Sequence, residues 1–110
     1  MATLEKVEGG LQYMYEEPSI NKSGKPITDL DHTSIFVQVD DGEVTKLRDV
    51  PATAATGGGH ISELIPNPVS EAAEGLVKVF STATDDDGGE GDAGGQAQLS
   101  VDNDPPGPTL

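Results

Sequence analysis

The residues best suited to chemistry are the carboxylates of one short segment, residues 85–92, which reads DDDGGEGD. Carboxylate oxygens on a flexible backbone are the ligands that calcium prefers, which makes Asp85, Asp87, Glu90 and Asp92 the calcium candidates. The spacing differs from that of known calcium loops. An EF-hand needs glycine at its sixth position, where this chain has Glu90, and the single Gly-Gly-x-Gly sequence meets its aspartate one place too early for a calcium β-roll. We therefore interpret the segment as a solvated loop, assign no metal or cofactor to the protein, and keep calcium as the alternative.

Histidine, serine and aspartate side chains raise the question of catalysis. His32 and His60 are the only histidines, and the chain has no cysteine. Without cysteine there is no thiolate nucleophile, no thiolate zinc site and no disulfide. A Ser-His-Asp combination can be picked from almost any chain, and a lone histidine beside a strand is more often a surface or turn residue than a ligand. We therefore predict no catalytic residues and no enzymatic activity.

The charge of the chain limits its partners. Twenty acidic residues against six basic ones give a formal net charge of −14. A phosphate backbone requires clustered Lys and Arg, so we expect neither nucleic acid nor an anionic membrane as a partner. No basic residue follows Lys78, so the acidity is concentrated toward the C-terminal end, which we expect to face solvent or a cationic partner. Glu16, Glu17, Asp40 and Asp41 are interpreted as solvent-facing turn residues.

Two segments are candidates for a partner contact, the acidic loop and a proline-rich tail. Loops on a rigid scaffold often carry recognition, and a polyproline-type tail loses little entropy when it enters a neighbour's groove. The simpler alternative is a solvated loop and a linker. The candidate contact residues are Asp85, Asp86, Asp87, Glu90 and Asp92 in the loop and Pro105, Pro106 and Pro108 in the tail.

These residues must be positioned by β-strands, of which the clearest covers residues 32–39. Ile35, Val37 and Val39 alternate with serine, phenylalanine and glutamine, and an Asp-Asp-Gly turn signal follows at residues 40–42. This period of two with β-branched residues is typical of a half-buried strand. Fourteen glycines and eight prolines among short apolar runs favour an all-β chain with many turns, so long helices are not expected.

Further alternating segments indicate strands on both sides of this one, at residues 2–7, 11–15, 44–50, 60–64, 76–84 and 96–101. The segment 44–50 is expected at a sheet edge with Lys46 and Arg48 pointing outward, because charged side chains protect an exposed edge from pairing. The residues expected to point inward are Leu11, Tyr13, Tyr15, Ile61, Leu64, Val77, Val79, Ser81, Ala83, Ala97, Leu99 and Val101.

Seven short strands at regular spacing are typical of an immunoglobulin-like sandwich, and residues 2–103 resemble a fibronectin type III domain. Tyr15 stands where that family usually has a tryptophan, and Leu-Ile-Pro at residues 64–66 resembles the Leu-x-Pro that precedes the family's sixth strand. The tyrosine that normally follows Leu-x-Pro is missing. The segments that carry the resemblance are residues 11–18, 21–30, 64–66, 77–83 and 96–101.

The resemblance implies a single all-β domain, a seven-stranded immunoglobulin-like sandwich over residues 1–103. A flexible acidic loop would lie within it, and an extended proline-rich tail would follow over residues 104–110. A chain of 110 residues has room for one domain. Domains of this family bind partners or act as spacers, so the resemblance carries over no active site.

The same resemblance implies two settings for a non-catalytic structural module. The first is a tailed-phage virion, in which the chain would be a head decoration protein or another minor capsid or tail component. Its partners would then be other virion subunits and copies of itself. We favour this setting because the N-terminal sequence lacks the basic and apolar regions of a secretory signal, so we expect synthesis in the host cytoplasm before assembly into the virion. The alternative is an extracellular accessory module of a carbohydrate-active or adhesive protein.

Overall fold

Seven antiparallel strands form the regular structure of this chain in a computed structural model that describes residues 2–66, 74–91 and 93–102. The expectations for Asp92 and for the tail concern residues that lie outside these ranges. The described strands and turns include no helix long and apolar enough to cross a membrane. The strands are β1 (Thr3–Val7), β2 (Gly10–Glu16), β3 (Leu30–Val39), β4 (Thr45–Pro51), β5 (His60–Pro66), β6 (Glu74–Asp85) and β7 (Gly94–Asp102).

The strands form two antiparallel sheets that face each other across one apolar core. The smaller sheet has the order β1-β2-β5, and the larger one has the order β4-β3-β6-β7. Because successive side chains on a strand point to opposite faces, each strand contributes alternate residues to the core. The inward alternation predicted for β2, β3 and β7 is confirmed. The buried core comprises Leu4, Leu11, Tyr13, Tyr15, Ile35, Val37, Ile61, Ile65, Val77, Val79 and Val101.

Two tyrosine hydroxyls hydrogen-bond across the core. Tyr13 donates to the carbonyl of Gly95 at the start of β7 over 2.5 Å, and the hydroxyls of Tyr15 and Thr33 lie 2.6 Å apart. A buried hydroxyl without a partner would cost about 1–3 kcal/mol, so these bonds allow two large polar rings to fill a core that has no tryptophan. They also join β2 to the facing sheet.

A β-bulge in the edge strand β4 overturns one prediction. Ile35 on β3 pairs with Arg48 and the next residue, Phe36, pairs with Lys46, so Leu47 is an extra residue in β4. In such a bulge two consecutive residues oppose one on the neighbouring strand. Leu47 therefore packs against the core, and the Arg48 side chain crosses to β5, where it reaches Glu63. The edge position of β4 and the outward Lys46 are confirmed, but the outward placement of Arg48 is wrong.

Strand β5 shows a second difference from the sequence-based expectation. Ile61 is buried as predicted, but Leu64 is 44% exposed and its neighbour Ile65 is 1% exposed. The alternation along β5 places Ile61, Glu63 and Ile65 on the inner face, since these residues are two apart. This alternation is not evident from the sequence because Glu63, at the middle inward position, is charged.

Glu17 is the third correction, because this predicted solvent-facing residue is only 2% exposed. Its carboxylate accepts hydrogen bonds from the Thr53 amide over 2.9 Å, from the Thr53 hydroxyl over 2.5 Å and from the Gly59 amide over 3.0 Å. Burial of a carboxylate is tolerated when hydrogen-bond donors surround it. Glu17 thus fixes the loop of residues 52–59 to the end of β2.

Candidate binding site at the acidic end of the sandwich

One end of the sandwich collects the loops that carry most of the candidate residues. Glu16 pairs with His60, so the end of β2 lies beside the start of β5, and Leu30 pairs with Asp85, so the start of β3 lies beside the end of β6. The loop of residues 52–59 connects the two pairs, because the Leu30 amide donates to the Ala55 carbonyl and the Glu17 amide donates to the Gly59 carbonyl. The described loops at this end are residues 17–29, 52–59 and 86–91. We call this the acidic end.

Asp85 organises the turn that follows β6. Its Oδ1 accepts hydrogen bonds from the amides of Asp87 over 3.1 Å and Gly89 over 2.7 Å. The backbone closes the same turn, since the Asp85 amide donates to the Gly89 carbonyl and the Gly88 amide donates to the Asp85 carbonyl. Gly88 has a φ of 86°, a conformation that glycine adopts without strain. The Asp85 carboxylate is therefore occupied with shaping the turn.

The turn places two further carboxylates against the loop before β3. The Asp86 amide donates to the Asp29 carbonyl over 2.9 Å, which fixes the turn to that loop. Carboxylate oxygens of Asp29, Asp86 and Asp87 then all lie within 4.8 Å of one another. We call these three residues the carboxylate cluster. Asp86 and Asp87 are exposed and Asp29 is half-buried.

The electrostatics of the carboxylate cluster favour a positive charge near it. The pKa of Asp86 is raised above its ordinary value, chiefly by desolvation and then by Asp87, Asp29, Asp85 and Asp31. Two oxygens bound to one calcium ion lie at most about 5 Å apart, so the cluster has a spacing that a divalent cation can span. A lysine or arginine side chain of a partner would relieve the same repulsion.

A cleft of about 670 Å³ lies beside the carboxylate cluster, between the loop of residues 18–29 and the turn after β6. We call it the acidic cleft. Ile20, Ile27 and Leu30 supply apolar lining, and Ile20 is 62% exposed. Asp29, Asp85 and Glu90 supply acidic lining, and Lys22 supplies one positive charge, so the lining carries more acidic than basic groups. An apolar surface with a few charged groups is the usual composition of a binding site that takes a partner side chain of opposite charge.

The structure thus places the three described calcium candidates, out of the four predicted from the sequence, at different positions. Asp87 joins the carboxylate cluster, whereas Asp85 accepts backbone hydrogen bonds and Glu90 accepts a bond from the Thr82 hydroxyl over 2.6 Å. The fourth candidate, Asp92, lies outside the described residues, as do the tail prolines. Sequence reasoning missed Asp29, because only the pairing of β3 with β6 brings it near residues 86 and 87.

His32 lies in a polar network on the outer face of β3. Its Nδ1 is 2.7 Å from Asp31, and its Nε2 is 3.8 Å from Asp49. The Ser34 hydroxyl donates its hydrogen bond to Asp49 over 2.6 Å and not to the imidazole of His32. A nucleophilic serine needs a histidine base that accepts the hydrogen bond of its hydroxyl. Here the acceptor is a carboxylate, so Ser34 and His32 are not arranged as a nucleophile and its base.

The same network shifts the pKa of Asp49. This pKa is lowered from its ordinary value, first by the hydrogen bond from Lys46, then by that from Ser34, and less by the charges of Lys46 and His32. Lys46 Nζ lies 2.8 Å from the carboxylate. The network therefore stabilises ionised Asp49 on the sheet surface.

Comparison of the chain with protein-family models, with curated proteins and with solved structures found no match.

Proposed function

We propose that this chain is a non-catalytic, immunoglobulin-like binding module whose acidic end receives a basic segment of a neighbouring protein, and that this neighbour is another subunit of a tailed-phage virion. The observation that carries the binding role is the acidic cleft, where apolar side chains lie next to the carboxylate cluster. A lysine or arginine with an apolar neighbour fits this combination, because the charge relieves the carboxylate repulsion while the apolar group covers Ile20.

The strand order supports the immunoglobulin-like assignment. In the constant-type immunoglobulin sandwich the first, second, fifth and fourth strands form one sheet, and the third, sixth and seventh form the other. This chain differs only in that β4 joins the second sheet beside β3. The virion setting rests on the resemblance of the sequence to fibronectin type III domains and on the net charge of −14, which steers basic partners toward the module.

The alternative of an extracellular accessory module would use exposed aromatic rings to bind sugars, and the larger sheet carries an aromatic pair. Phe36 and Phe80 stack with ring centroids 5.2 Å apart, and they lie on the outer face of the larger sheet. Exposed aromatic rings can stack on sugars. The rings face each other, however, so each has at most one free face, which makes them a poor sugar platform.

The setting is tested by sedimentation of the source lysate, with mass spectrometry of each fraction. We expect the chain to co-migrate in many copies with a capsid-sized or tail-sized assembly. If it is found only within a longer secreted polypeptide, the virion setting is wrong.

The binding role is tested on particles depleted of this chain. The double variant Asp86→Asn/Asp87→Asn should rebind about tenfold or more weakly, because it removes two charges from the contact. Glu8→Gln/Glu43→Gln is the matched control, since both glutamates are exposed and lie at the opposite end of the sandwich, in the connections after β1 and after β3. Equal rebinding of the wild type and both variants would contradict a contact at the acidic end.

A further inference from the structure

The outer face of the larger sheet carries an aromatic pair that the core does not need. Phe36 on β3 pairs directly with Phe80 on β6, and the rings stack at 5.2 Å with an angle of 11° between their planes. The core cluster contains neither ring, because both lie on the face opposite Ile35 and Val79. Each is half-buried. These are the only phenylalanines of the chain.

Two ion pairs flank these rings. Lys46, which pairs with Phe36 across the strands, lies 2.8 Å from Asp49, and Lys78 lies 3.9 Å from Asp41. Neutral amides complete the surface, since Gln38 and Gln98 both pair with residue 78. We call this surface the aromatic face. It is defined by Phe36, Gln38, Asp41, Lys46, Asp49, Lys78, Phe80 and Gln98.

These ion pairs distinguish the aromatic face from the chain as a whole. The face carries two lysines paired with two aspartates. Glu90, which accepts a hydrogen bond from Thr82 two residues beyond Phe80, lies at its margin. The chain, in contrast, carries a net charge of −14. Two copies therefore repel each other through their net charge, and a face whose lysines and aspartates are paired adds less to this repulsion than a surface of unpaired carboxylates does. A contact about a twofold axis must also be self-complementary, because each residue meets a residue of the identical patch. A patch with both signs meets this condition, since lysines of one copy can lie against aspartates of the other.

We propose that two copies of this chain associate through their aromatic faces about a twofold axis. The four phenylalanine rings form the centre of the contact, where burial of apolar surface supplies the affinity. The lysines and aspartates at its margin fix the relative orientation of the copies. The aromatic face is distinct from the acidic end, so this contact does not depend on the proposed function and leaves the acidic cleft open in both copies.

The size of the face predicts a weak dimer. Four strands spaced about 4.8 Å apart give a sheet face only about 14 Å wide between the outer strand axes. Along the ten residues of β3, about 33 Å, such a face covers roughly 460 Å². Each partner of a stable dimer buries about 800 Å² or more. Dimerisation should therefore be detected only at high concentration, or where copies are held close together.

The test is analytical ultracentrifugation of the full chain between about 10 μM and about 1 mM, a range that covers weak affinities. We expect a monomer–dimer equilibrium that strengthens when salt is added, because salt screens the repulsion between the two net charges more than it weakens ring contacts. A monomer at every concentration and salt condition would overturn the proposal.

Matched variants locate the contact. Phe80→Gln should raise the dissociation constant of the dimer about tenfold or more, because a central aromatic anchor is lost. Met14→Gln is the control, since Met14 is 39% exposed on the outer face of the smaller sheet. Circular dichroism and thermal unfolding verify that both variants fold. If Phe80→Gln does not fold, chemical-shift changes of the wild type on dilution replace it, and they should map to the aromatic face. Equal dimerisation of both variants, or shift changes confined to another surface, would overturn the proposal.

A final measurement separates a second copy from a sugar ligand. Dilute protein, kept below the concentration at which it dimerises, is titrated with cellohexaose and with laminarin oligosaccharides. We expect unchanged Phe36 and Phe80 ring signals. Saturable shifts of these signals would identify the face as a glycan site and contradict the assignment to a second copy.

Discussion

Arg48 on β4 and Glu63 on β5 join the two sheets on the side of the sandwich where β4 and β5 are the edge strands. Nη1 of Arg48 lies 3.1 Å from Oε1 of Glu63, and Nη2 donates to the Leu64 carbonyl over 3.0 Å. The second bond occupies an acceptor on the free edge of β5, which reduces the tendency of that edge to pair with another strand. Next to this contact, Val37, Leu47 and Ile65 line an apolar groove of about 570 Å³.

The first prediction concerns this contact. Arg48→Ala should lower the free energy of unfolding by about 1–2 kcal/mol, mostly through the lost hydrogen bond and the lost packing of the arginine stem. The ion pair itself adds little, because the two side chains are 38% and 27% exposed. Urea denaturation measures the change. Lys46→Ala is the control, because its ion pair with Asp49 lies on the outer face with both side chains 49% exposed, and it should cost less than Arg48→Ala. Equal effects of the two substitutions would show that Arg48 does not join the sheets.

The second prediction compares two glycines with similar backbone conformations and different surroundings. Gly57 has a φ of 65° and Gly88 a φ of 86°. A methyl group on Gly57 would collide with the Pro18 carbonyl oxygen, whereas one on Gly88 would meet nothing within 4 Å. Gly88→Ala should therefore cost about 1 kcal/mol through backbone strain alone, and Gly57→Ala should cost about 3 kcal/mol or more because the loop must move as well. Thermal unfolding of both variants checks the order, and a reversed order would contradict the described position of the loop.

The third prediction concerns the buried bond between Tyr15 and Thr33. Tyr15→Phe should lower the free energy of unfolding by about 1–2 kcal/mol, because the Thr33 hydroxyl loses its partner inside the core. Thr33→Val and the double variant complete a thermodynamic cycle. The double variant should be less destabilised than the sum of the single variants, since neither polar group is then left unpaired. Additive effects would mean that the two hydroxyls do not interact.

The fourth prediction follows from the tyrosine pKa values. Burial raises the pKa of both Tyr13 and Tyr15, with the hydrogen bonds to Ser81 and Thr33 acting in the opposite direction. The folded state therefore holds these protons more tightly than the unfolded state does. The resulting stability is complete below the unfolded tyrosine pKa of about 10 and is lost as the pH rises through the folded values. Tyrosinate absorbance and far-ultraviolet circular dichroism should thus change together in alkaline titration. Ionisation of both rings in a folded protein would contradict this coupling.

The fifth prediction concerns two aspartates whose pKa values shift in opposite directions. The pKa of Asp86 lies above its ordinary value and that of Asp49 lies below it. Ionised Asp49 therefore stabilises the fold above its unfolded pKa, and this stabilisation is lost as the pH falls through the folded pKa. Protonated Asp86 stabilises the fold below its unfolded pKa, and this stabilisation is lost as the pH rises through the folded pKa. Carboxyl-carbon NMR titration measures both. Lys46→Met should raise the Asp49 pKa and leave Asp86 unchanged, and Asp29→Asn should lower the Asp86 pKa and leave Asp49 unchanged. Any other pattern would contradict the described partners.

Local sequence patterns were sufficient to predict which side chains point inward where one face of a strand is apolar. The period of two in β2, β3 and β7 identified their inward residues, because a sheet that is buried on one side imposes this alternation directly. The same rule failed in β4, where a bulge turns Leu47 and Arg48 to the same side, and in β5, where Glu63 occupies an inward position. The bulge in β4 and the inward charge in β5 depend on the neighbouring strands, and the local sequence does not show which strands these are.

The sequence by itself determined the strand content, most of the core, and a concentration of acidic residues after Lys78, since these depend on composition and on alternation within single segments. Only the tertiary structure decided which carboxylates act together. Asp29 and Asp86 are distant in sequence and meet because β3 pairs with β6, while Glu17 is buried because donors from the loop of residues 52–59 surround it. The reason is physical: the environment of a charge depends on every group within a few ångströms, and in an antiparallel sandwich those groups come from segments far apart in the chain.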